Sequence, residues 1–232
     1  MTIRKLILYL QRHVRYSVEG LTVRSENAAK SPAEASRPLV NWLLKHVLAD
    51  AALDYGCGRL RYSSHLARRS QRLALVDSDL QLDRPTYIGR RSTSVREHAK
   101  ARWPACTVYS LDEFWLGVPD RYGFVLCANV LSAIPSRTIR SRSLNSIRQC
   151  LSSDGRLLVV NQHTNSYFSE ASRRRGSRRH LDGWILPSKN AASYFGVLGK
   201  AKSIRILRAH GFRILDAWIE GQSNYVLAGK GQ

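Results

Sequence analysis

The sequence predicts an α/β fold of the doubly wound type, built on a mostly parallel sheet whose last strand is antiparallel. From residue 51 onwards, short apolar runs alternate with helical patterns, and this alternation is typical of a parallel sheet covered on both faces. The last two apolar runs, residues 212–219 and 225–228, are joined only by residues 220–224. Because this link is too short for a crossover, the final strand must be antiparallel to the one before it.

Seven strands are predicted in this sheet. They lie at residues 51–54, 73–76, 106–109, 124–128, 156–161, 212–219 and 225–228. The apolar spacing predicts helices over residues 62–69, from about residue 94, over 138–151 and over 200–210. Gly211 follows the last of these helices and is suited to end it.

The first 49 residues are predicted to form a helical segment packed on the core, and residues 50–232 the main domain. Residues 3–14 place apolar side chains at helical spacing, with basic side chains on the other faces. A helix docked on the domain is expected there, and a helix lying on a membrane surface is the alternative. Residues 20–36 are polar and indicate a loop, and a second helix is predicted from about residue 36, with Pro38 in its first turn.

Composition narrows the class of protein. The 232 residues include 37 Lys and Arg against 17 Asp and Glu, a net charge of +20, and 44% are hydrophobic, enough for a core. The positive electrostatic field of such a chain favours a polyanionic partner such as nucleic acid, with a merely solvated basic surface as the alternative.

The sequence has no apolar run of about 18 residues, so no transmembrane helix is predicted. The four scattered cysteines lack zinc spacing, so we expect no metal site and a cytoplasmic protein.

The most informative segment is residues 53–58, which read Leu-Asp-Tyr-Gly-Cys-Gly. A strand here runs into glycines that let the backbone approach a ligand. The fingerprint of nicotinamide-dependent enzymes requires a third glycine where Arg61 stands, which counts against that class. With an acid, Asp54, two residues before the first glycine, the segment resembles motif I of the class I S-adenosylmethionine-dependent methyltransferases, D-x-G-x-G-x-G. Leu60 occupies the position of the last glycine.

Two further segments carry the same resemblance, which spans roughly residues 50–230. Asp77 ends the second strand 23 residues after Asp54, where the family places the acid that binds the ribose hydroxyls of its cofactor; Asp79 is the second candidate. Residues 122–135, with Asn129-Val-Leu after the fourth strand, resemble the family's motif IV. The resemblance implies S-adenosylmethionine as cofactor and a seven-stranded sheet with an antiparallel last strand.

The resemblance also implies a set of site residues. Those expected to contact the cofactor are Asp54, Gly56, Gly58, Asp77, Ser110, Asp112 and Asn129. Ser110 and Asp112 follow the third strand, where the family places an adenine contact. Asn129 is expected to face the methyl donor and is a catalytic candidate. His163, directly after the fifth strand, is the candidate base, with a purely structural histidine as the alternative.

An insertion at about residues 164–198 follows the fifth strand. It is expected to shape the acceptor site, because loops at the carboxyl ends of such strands line the ligand crevice. Arginines beside aromatic side chains can bind phosphates and stack on bases, and a solvated basic loop is the alternative. The residues expected to bind the acceptor are Arg174, Arg175, Arg178, Arg179, Trp184 and Tyr194. In the polar stretch before motif I, Asn27 or Lys30 is expected to lie over the cofactor pocket, unless the stretch is an ordinary linker.

These features predict an S-adenosylmethionine-dependent methyltransferase whose acceptor is a nucleic acid, RNA rather than DNA. A small-molecule acceptor, and a non-catalytic nucleic-acid-binding module on the same fold, remain alternatives. Enzymes that methylate exocyclic base amines carry D/N-P-P-Y/F after the fourth strand, whereas this chain has Asn129-Val-Leu-Ser. Cytosine C5 enzymes use a cysteine in Pro-Cys, a dipeptide that Pro104-Ala-Cys106 does not supply. Neither chemistry is expected.

Overall fold

A central sheet of seven strands and a second sheet of five strands organise the molecule, which this computed structural model describes for residues 16–89, 91–163, 166–187 and 191–231. Within these residues the strands are β1 (Tyr16–Val18), β2 (Leu21–Val23), β3 (Ala49–Tyr55), β4 (Ser70–Asp77), β5 (Thr86–Ile88), β6 (Arg91–Thr93), β7 (Thr107–Ser110), β8 (Tyr122–Ala128), β9 (Leu151–Gln162), β10 (Arg178–His180), β11 (Gly183–Pro187), β12 (Ala192–Gly196), β13 (Phe212–Glu220) and β14 (Ser223–Lys230). The α-helices of the same residues are α1 (Arg37–His46), α2 (Ser63–Ala67), α3 (Asp79–Asp83), α4 (Val95–Arg102), α5 (Leu111–Trp115), α6 (Arg137–Cys150), α7 (Ser166–Arg173) and α8 (Lys200–Ala209). Short 3-10 turns lie at Ser25–Ala28, Pro32–Glu34 and Leu131–Ala133.

The central sheet has the strand order β13-β14-β9-β8-β3-β4-β7. β3 pairs in parallel with β4 and β8, and the pairs β4–β7 and β8–β9 are parallel as well. β14 is antiparallel to both of its neighbours, β9 and β13, because only residues 221–222 separate it from β13. The predicted fold class, a mostly parallel seven-stranded sheet with an antiparallel last strand, is confirmed.

Helices cover both faces of the central sheet, and successive strand residues alternate between the two cores. In β3, Leu53 and Tyr55 join the core that α6 and α8 cover, whereas Ala52 joins the core that α1 and α2 cover. Leu39 and Leu43 of α1 are almost completely buried in that second core. With both faces occupied, ligands reach the parallel strands only at their carboxyl ends, which lie at one edge of the sheet.

The second sheet, of order β1-β2-β12-β11-β10, joins the N-terminal residues to the insertion. The turn between β1 and β2 places Glu19 (φ 50°) and Gly20 (φ 76°) in the left-handed region, as a tight two-residue hairpin of type I′ requires. β2 is parallel to β12 and pairs with it through Val23 and Ala192. The amide of Arg24 donates to the carbonyl of Ala192 at 2.8 Å.

This second sheet corrects one prediction: residues 21–23 form β2 instead of part of a loop over 20–36. The insertion at about 164–198, for which a solvated basic loop was the alternative, contains α7 and three strands among the described residues. The strands of the second sheet have only three to five residues each, too few for a detectable periodicity, and most of their partners are distant in sequence. α1 confirms the helix predicted from about residue 36, whereas the helix predicted over 3–14 lies outside the described residues. The division of the chain at residues 49 and 50 stays a prediction.

α4 confirms the helix predicted from about residue 94. α4 begins after Ser94, whose hydroxyl accepts from the amide of Glu97 while the Glu97 carboxylate accepts from the amide of Ser94, a reciprocal cap. The four cysteines are free thiols. Across the described ranges, no helix is long and apolar enough to cross a membrane.

A buried charge cluster attaches the second sheet to α6. The side chain of Arg140 is only 5% exposed; it forms an ion pair with Asp182, and its Nε donates to the carbonyl of Ile134 at 2.8 Å. Arg140 also donates to the hydroxyl of Tyr194 at 3.2 Å. Burial alone would raise the pKa of Asp182, but hydrogen bonds from Lys202 and Arg140 outweigh it and lower that pKa. The cluster therefore satisfies charges that would otherwise be costly to bury.

We expect Arg140→Met to lower the free energy of unfolding by about 3 kcal/mol, because it leaves the carboxylate of Asp182 buried with Lys202 as its remaining cation. Urea denaturation of the wild type and the variant measures this difference. The control is Arg137→Met, at an exposed position on the same helix, which should change stability by less than about 0.5 kcal/mol. Equal effects of the two substitutions would show that the buried pair does not stabilise the fold.

Candidate functional site

A cavity of about 700 Å³ lies at the carboxyl ends of β3, β4, β8 and β9. Its floor is formed by the ends of these strands and the turns that follow them. Its roof is formed by residues 25–30, called the covering segment below, and by Tyr16 and Tyr194 of the second sheet. The cavity thus lies between the two sheets, at the position where parallel α/β sheets bind ligands.

The turn after β3 has the backbone that the glycines of motif I permit. Gly56 (φ 74°) and Gly58 (φ 55°) both lie in the left-handed region. The amides of Gly56 and Cys57 donate to the carbonyl of Val76, at 2.8 and 3.1 Å, which ties the turn to the end of β4. A Cβ atom on Gly56 would collide with the side chain of Val130, so only glycine fits at this close approach.

Leu60, at the position of the motif's last glycine, has φ 63° and is also left-handed. This conformation costs a residue with a side chain roughly 1–2 kcal/mol. The Leu60 side chain is 98% buried, in the same core as Leu66, and its burial offsets that cost. The departure from the motif therefore preserves the shape of the turn.

Asp54 is the last residue but one of β3; its side chain lines the cavity, and the residue is 3% exposed. Its Oδ2 accepts from the hydroxyl of Ser63 at 2.6 Å, which connects the strand to the first residue of α2. The pKa of Asp54 is raised to about 7, mainly by burial; the hydrogen bond from Ser63 lowers it, and the nearby charge of Asp77 adds a smaller increase. The carboxyl group thus carries a perturbed pKa within a ligand-sized cavity, as functional carboxyl groups often do.

Asp77 ends β4 beside Asp54 and also lines the cavity. Its two oxygens accept from the amides of Gly58 and Ser78, both at 2.8 Å. Burial raises the pKa of Asp77 to about 6, although these two hydrogen bonds lower it. The second candidate, Asp79, instead forms an ion pair with Arg96 at 3.6 Å, so Asp77 is the acid that the structure brings to the cavity.

Ser110 and Asp112, which were also expected to contact the cofactor, are not among the residues that line the cavity. The hydroxyl of Ser110 accepts from the amide of Glu113 at 3.2 Å, and the Glu113 carboxylate accepts from the amide of Ser110 at 2.7 Å. This reciprocal cap begins α5 and uses the Ser110 side chain. Leu111, which lies between Ser110 and Asp112 in the sequence, does line the cavity.

Asn129 follows β8 and lies at the cavity, as predicted. It has a left-handed backbone (φ 61°), which asparagine tolerates better than most residues, and its amide donates to the carbonyl of Val160 at 2.7 Å. Its Oδ1 is buried and has no hydrogen-bond partner among the described residues. Because a buried polar atom without a partner is costly, this oxygen marks a place for a donor group of a ligand.

His163, the predicted base, is held outside the cavity lining by the turn between β13 and β14. Its amide donates to the carbonyl of Gln222 at 3.2 Å, and its Nε2 lies 3.2 Å from the carbonyl oxygen of Gly221. The neighbouring Gln162 and Gln222 do line the cavity. The contacts of His163 agree with the structural alternative.

Of the six residues predicted to bind the acceptor, the structure places only Tyr194 at the cavity. Arg178 forms a solvent-exposed ion pair with Glu19 at 3.7 Å, and Arg179 lies over the ring of Trp184 at 5.9 Å. The other two predicted arginines, Arg174 and Arg175, are exposed as well. These four arginines are therefore exposed and lie outside the cavity lining.

The cavity also contains residues that sequence reasoning missed. Asn27 and Lys30 were expected over the pocket and do line it, but the neighbouring Glu26 was not considered. Tyr16 was missed because the strand that carries it has three residues and no motif. The only available signal was proximity in sequence to Asn27, which could have directed attention to Glu26.

Comparison with known proteins places the chain. No family model matches the sequence. The chain is 33% identical to the uncharacterized protein YmfD of Escherichia coli (strain K12) over 216 residues, which make up 93% of this chain and 96% of that protein.

Several solved structures are similar to this one. One is the 1,6-didemethyltoxoflavin-N1-methyltransferase of Burkholderia thailandensis with bound 1,6-didemethyltoxoflavin and S-adenosylhomocysteine (TM-score 0.59, 17% identity, 84% of this chain and 78% of that one). Another is the N-methyltransferase NodS of Bradyrhizobium japonicum WM9 in complex with S-adenosylhomocysteine (0.55, 15%, 84% and 85%). A third is an S-adenosylmethionine-dependent methyltransferase of Clostridium acetobutylicum ATCC 824 (0.61, 11%, 86% and 94%). The resemblance seen in motif I is confirmed: the chain belongs to one family with YmfD, and this family has the class I S-adenosylmethionine-dependent methyltransferase fold.

Proposed function

We propose that the protein is an S-adenosylmethionine-dependent methyltransferase that acts on a small-molecule acceptor. The observation that carries the proposal is the meeting of the glycine turn and the half-buried carboxylate of Asp77 in one cavity. Each oxygen of Asp77 accepts one backbone hydrogen bond and can accept another, so the carboxylate can bind ribose hydroxyls. The similar Burkholderia and Bradyrhizobium methyltransferases both carry S-adenosylhomocysteine, which supports the same cofactor here.

The residues present fit this cofactor. Gly56 and Gly58 leave the backbone open to it, Asp77 offers acceptors for the ribose, and the Oδ1 of Asn129 lacks a donor among the described residues. When bound, S-adenosylmethionine supplies a methyl group already activated by a positive sulfur. The chain then has to orient the acceptor in line with that methyl group and exclude water. A base is needed only for an acceptor that loses a proton, and the contacts of His163 give no reason to assign it that role.

The small-molecule acceptor is proposed from the shape of the cavity and from the position of the basic cluster. The second sheet roofs the cavity with Tyr16 and Tyr194, which leaves room for a compact ligand. The similar Burkholderia enzyme binds 1,6-didemethyltoxoflavin, also a small molecule. The alternative, an RNA acceptor, depends on the net charge of +20 and on Arg174, Arg175, Arg178 and Arg179, and these arginines lie outside the cavity.

The cofactor proposal predicts that Asp77→Ala weakens S-adenosylmethionine binding. Losing hydrogen bonds to a charged group costs about 1.5–3 kcal/mol, or roughly ten- to a hundredfold in affinity. Isothermal titration measures this loss, and circular dichroism confirms that the variant is folded. The matched control is Asp79→Ala, whose carboxylate pairs with Arg96 away from the cavity and whose loss should leave affinity within about threefold. The cofactor proposal fails if the wild type binds neither S-adenosylmethionine nor its demethylated product.

The acceptor proposal predicts that labelled methyl groups pass to a fraction of extracted small molecules and not to tRNA, rRNA or DNA. The fourfold variant Arg174→Ala, Arg175→Ala, Arg178→Ala, Arg179→Ala should keep most of this transfer, because its changes lie outside the cavity. Scintillation counting of the separated fractions measures both results. Label in RNA that falls more than tenfold in the fourfold variant would establish the nucleic-acid acceptor instead.

A further inference from the structure

Glu26 is a buried carboxylate at the cavity that no motif assigns. It lies in the covering segment, lines the cavity, and its side chain is only 7% exposed. Its Oε1 is buried without a hydrogen-bond partner among the described residues. Its closest ion-pair contact is the Nε of Arg24 at 3.9 Å, beyond hydrogen-bond distance, and the Arg24 side chain is half exposed. Such a group calls for a ligand that donates to it.

The covering segment holds Glu26 above the part of the cavity formed by the glycine turn. The backbone carbonyl of Glu26 accepts from Arg84 at 2.9 Å. Arg84 also donates to Gln81, whose side chain donates to the carbonyl of Gly58. Ala29 of the same segment lies against Gly58, so close that a Cβ atom there would be 3.3 Å from the Cβ of Ala29. Glu26 is therefore fixed over the glycine turn and beside the end of β4.

Two carboxylates thus approach the same space from different walls. The pKa of Asp77 is raised mainly by burial, and the charge of Glu26 raises it further, so the two groups are close enough to repel. Asp77 belongs to the sheet and Glu26 to the roof. Hydroxyl groups between them would give each carboxylate a donor, and a vicinal diol supplies two such donors in a fixed relation.

We propose that Glu26 is a second ribose-binding carboxylate: it accepts a hydrogen bond from one hydroxyl of the cofactor's ribose, while Asp77 accepts from the other. The proposal rests on the proposed function, because it needs the adenosyl cofactor. It assigns to the covering segment a direct contact with the cofactor, in addition to the acid at the end of β4.

The test is titration of three ligands that share the ribose: S-adenosylmethionine, S-adenosylhomocysteine and 5′-methylthioadenosine. Glu26→Ala should weaken all three by roughly ten- to a hundredfold. Glu19→Ala, which removes an exposed carboxylate from the same N-terminal region, should leave all three within about threefold. With 2′-deoxy and 3′-deoxy forms of 5′-methylthioadenosine, the Glu26→Ala penalty should vanish for the form that lacks the hydroxyl bound by Glu26.

Other patterns would overturn the proposal. Weaker binding of S-adenosylmethionine alone would assign Glu26 to the sulfonium charge. Weaker binding of both amino-acid-bearing ligands, but not of 5′-methylthioadenosine, would assign it to the ammonium group. Unchanged binding of all three would leave Glu26 to the acceptor or to the fold. Absence of any binding by the wild type would refute the proposed function itself, a result distinct from these.

A second measurement does not require the Glu26 variant to fold. In Asp77→Ala, the proposal expects 5′-methylthioadenosine still to bind about tenfold more tightly than one of its two deoxy forms, because Glu26 retains its hydroxyl. If Asp77 alone binds both hydroxyls, both deoxy forms should bind Asp77→Ala as well as the parent ligand does, and the proposal is wrong.

Discussion

The hydrogen bond from the amide of Gly58 to the carboxylate of Asp77 is the interaction on which the site depends. It joins the turn after β3 to the end of β4, and the carbonyl of Val76 reinforces it by accepting from two amides of the same turn. Parallel pairing of β3 and β4 brings the two strand ends together, so the sheet topology creates the contact. The left-handed glycines, the cavity floor and the orientation of Asp77 all follow from this junction.

The chain as a whole is strongly basic, whereas several acidic side chains line its cavity. The chain carries a net charge of +20, yet Asp54, Asp77 and Glu26 surround the cavity. Burial raises the pKa of Asp54 to about 7 and that of Asp77 to about 6, above the values of about 4 expected in the unfolded chain. Protonation of these two groups therefore stabilises the fold at low pH, and this contribution is lost as the pH rises through about 6 to 7. At neutral pH, a ligand that donates hydrogen bonds to the carboxylates offsets the cost of burying their charges.

Features with local signals could be predicted from the sequence. The strands, the glycine turn, Asp77 at the end of β4 and the antiparallel last strand depend on residues near one another in the chain. The second sheet could not be predicted, because β2 pairs with β12 across nearly the whole chain and neither strand shows a period. Ser110, expected at the cofactor, lies outside the cavity lining although its signal was local. Glu113 stands three residues later, a spacing that indicates a helix cap before it indicates a ligand contact.

The preference for a nucleic-acid acceptor shows why composition and location must be separated. Net charge sums over the whole surface, whereas recognition depends on which side chains line the cavity. In the insertion, the positive charge and the cavity contact lie on different strands of one sheet. Arg178 and Arg179 are exposed on the edge strand β10, whereas Tyr194 of β12 lines the cavity. Arg140, which is buried on α6, donates to the hydroxyl of Tyr194 and so positions this cavity residue. The insertion therefore contributes to the site through Tyr194 and the ion-paired attachment to α6, and its exposed arginines do not take part.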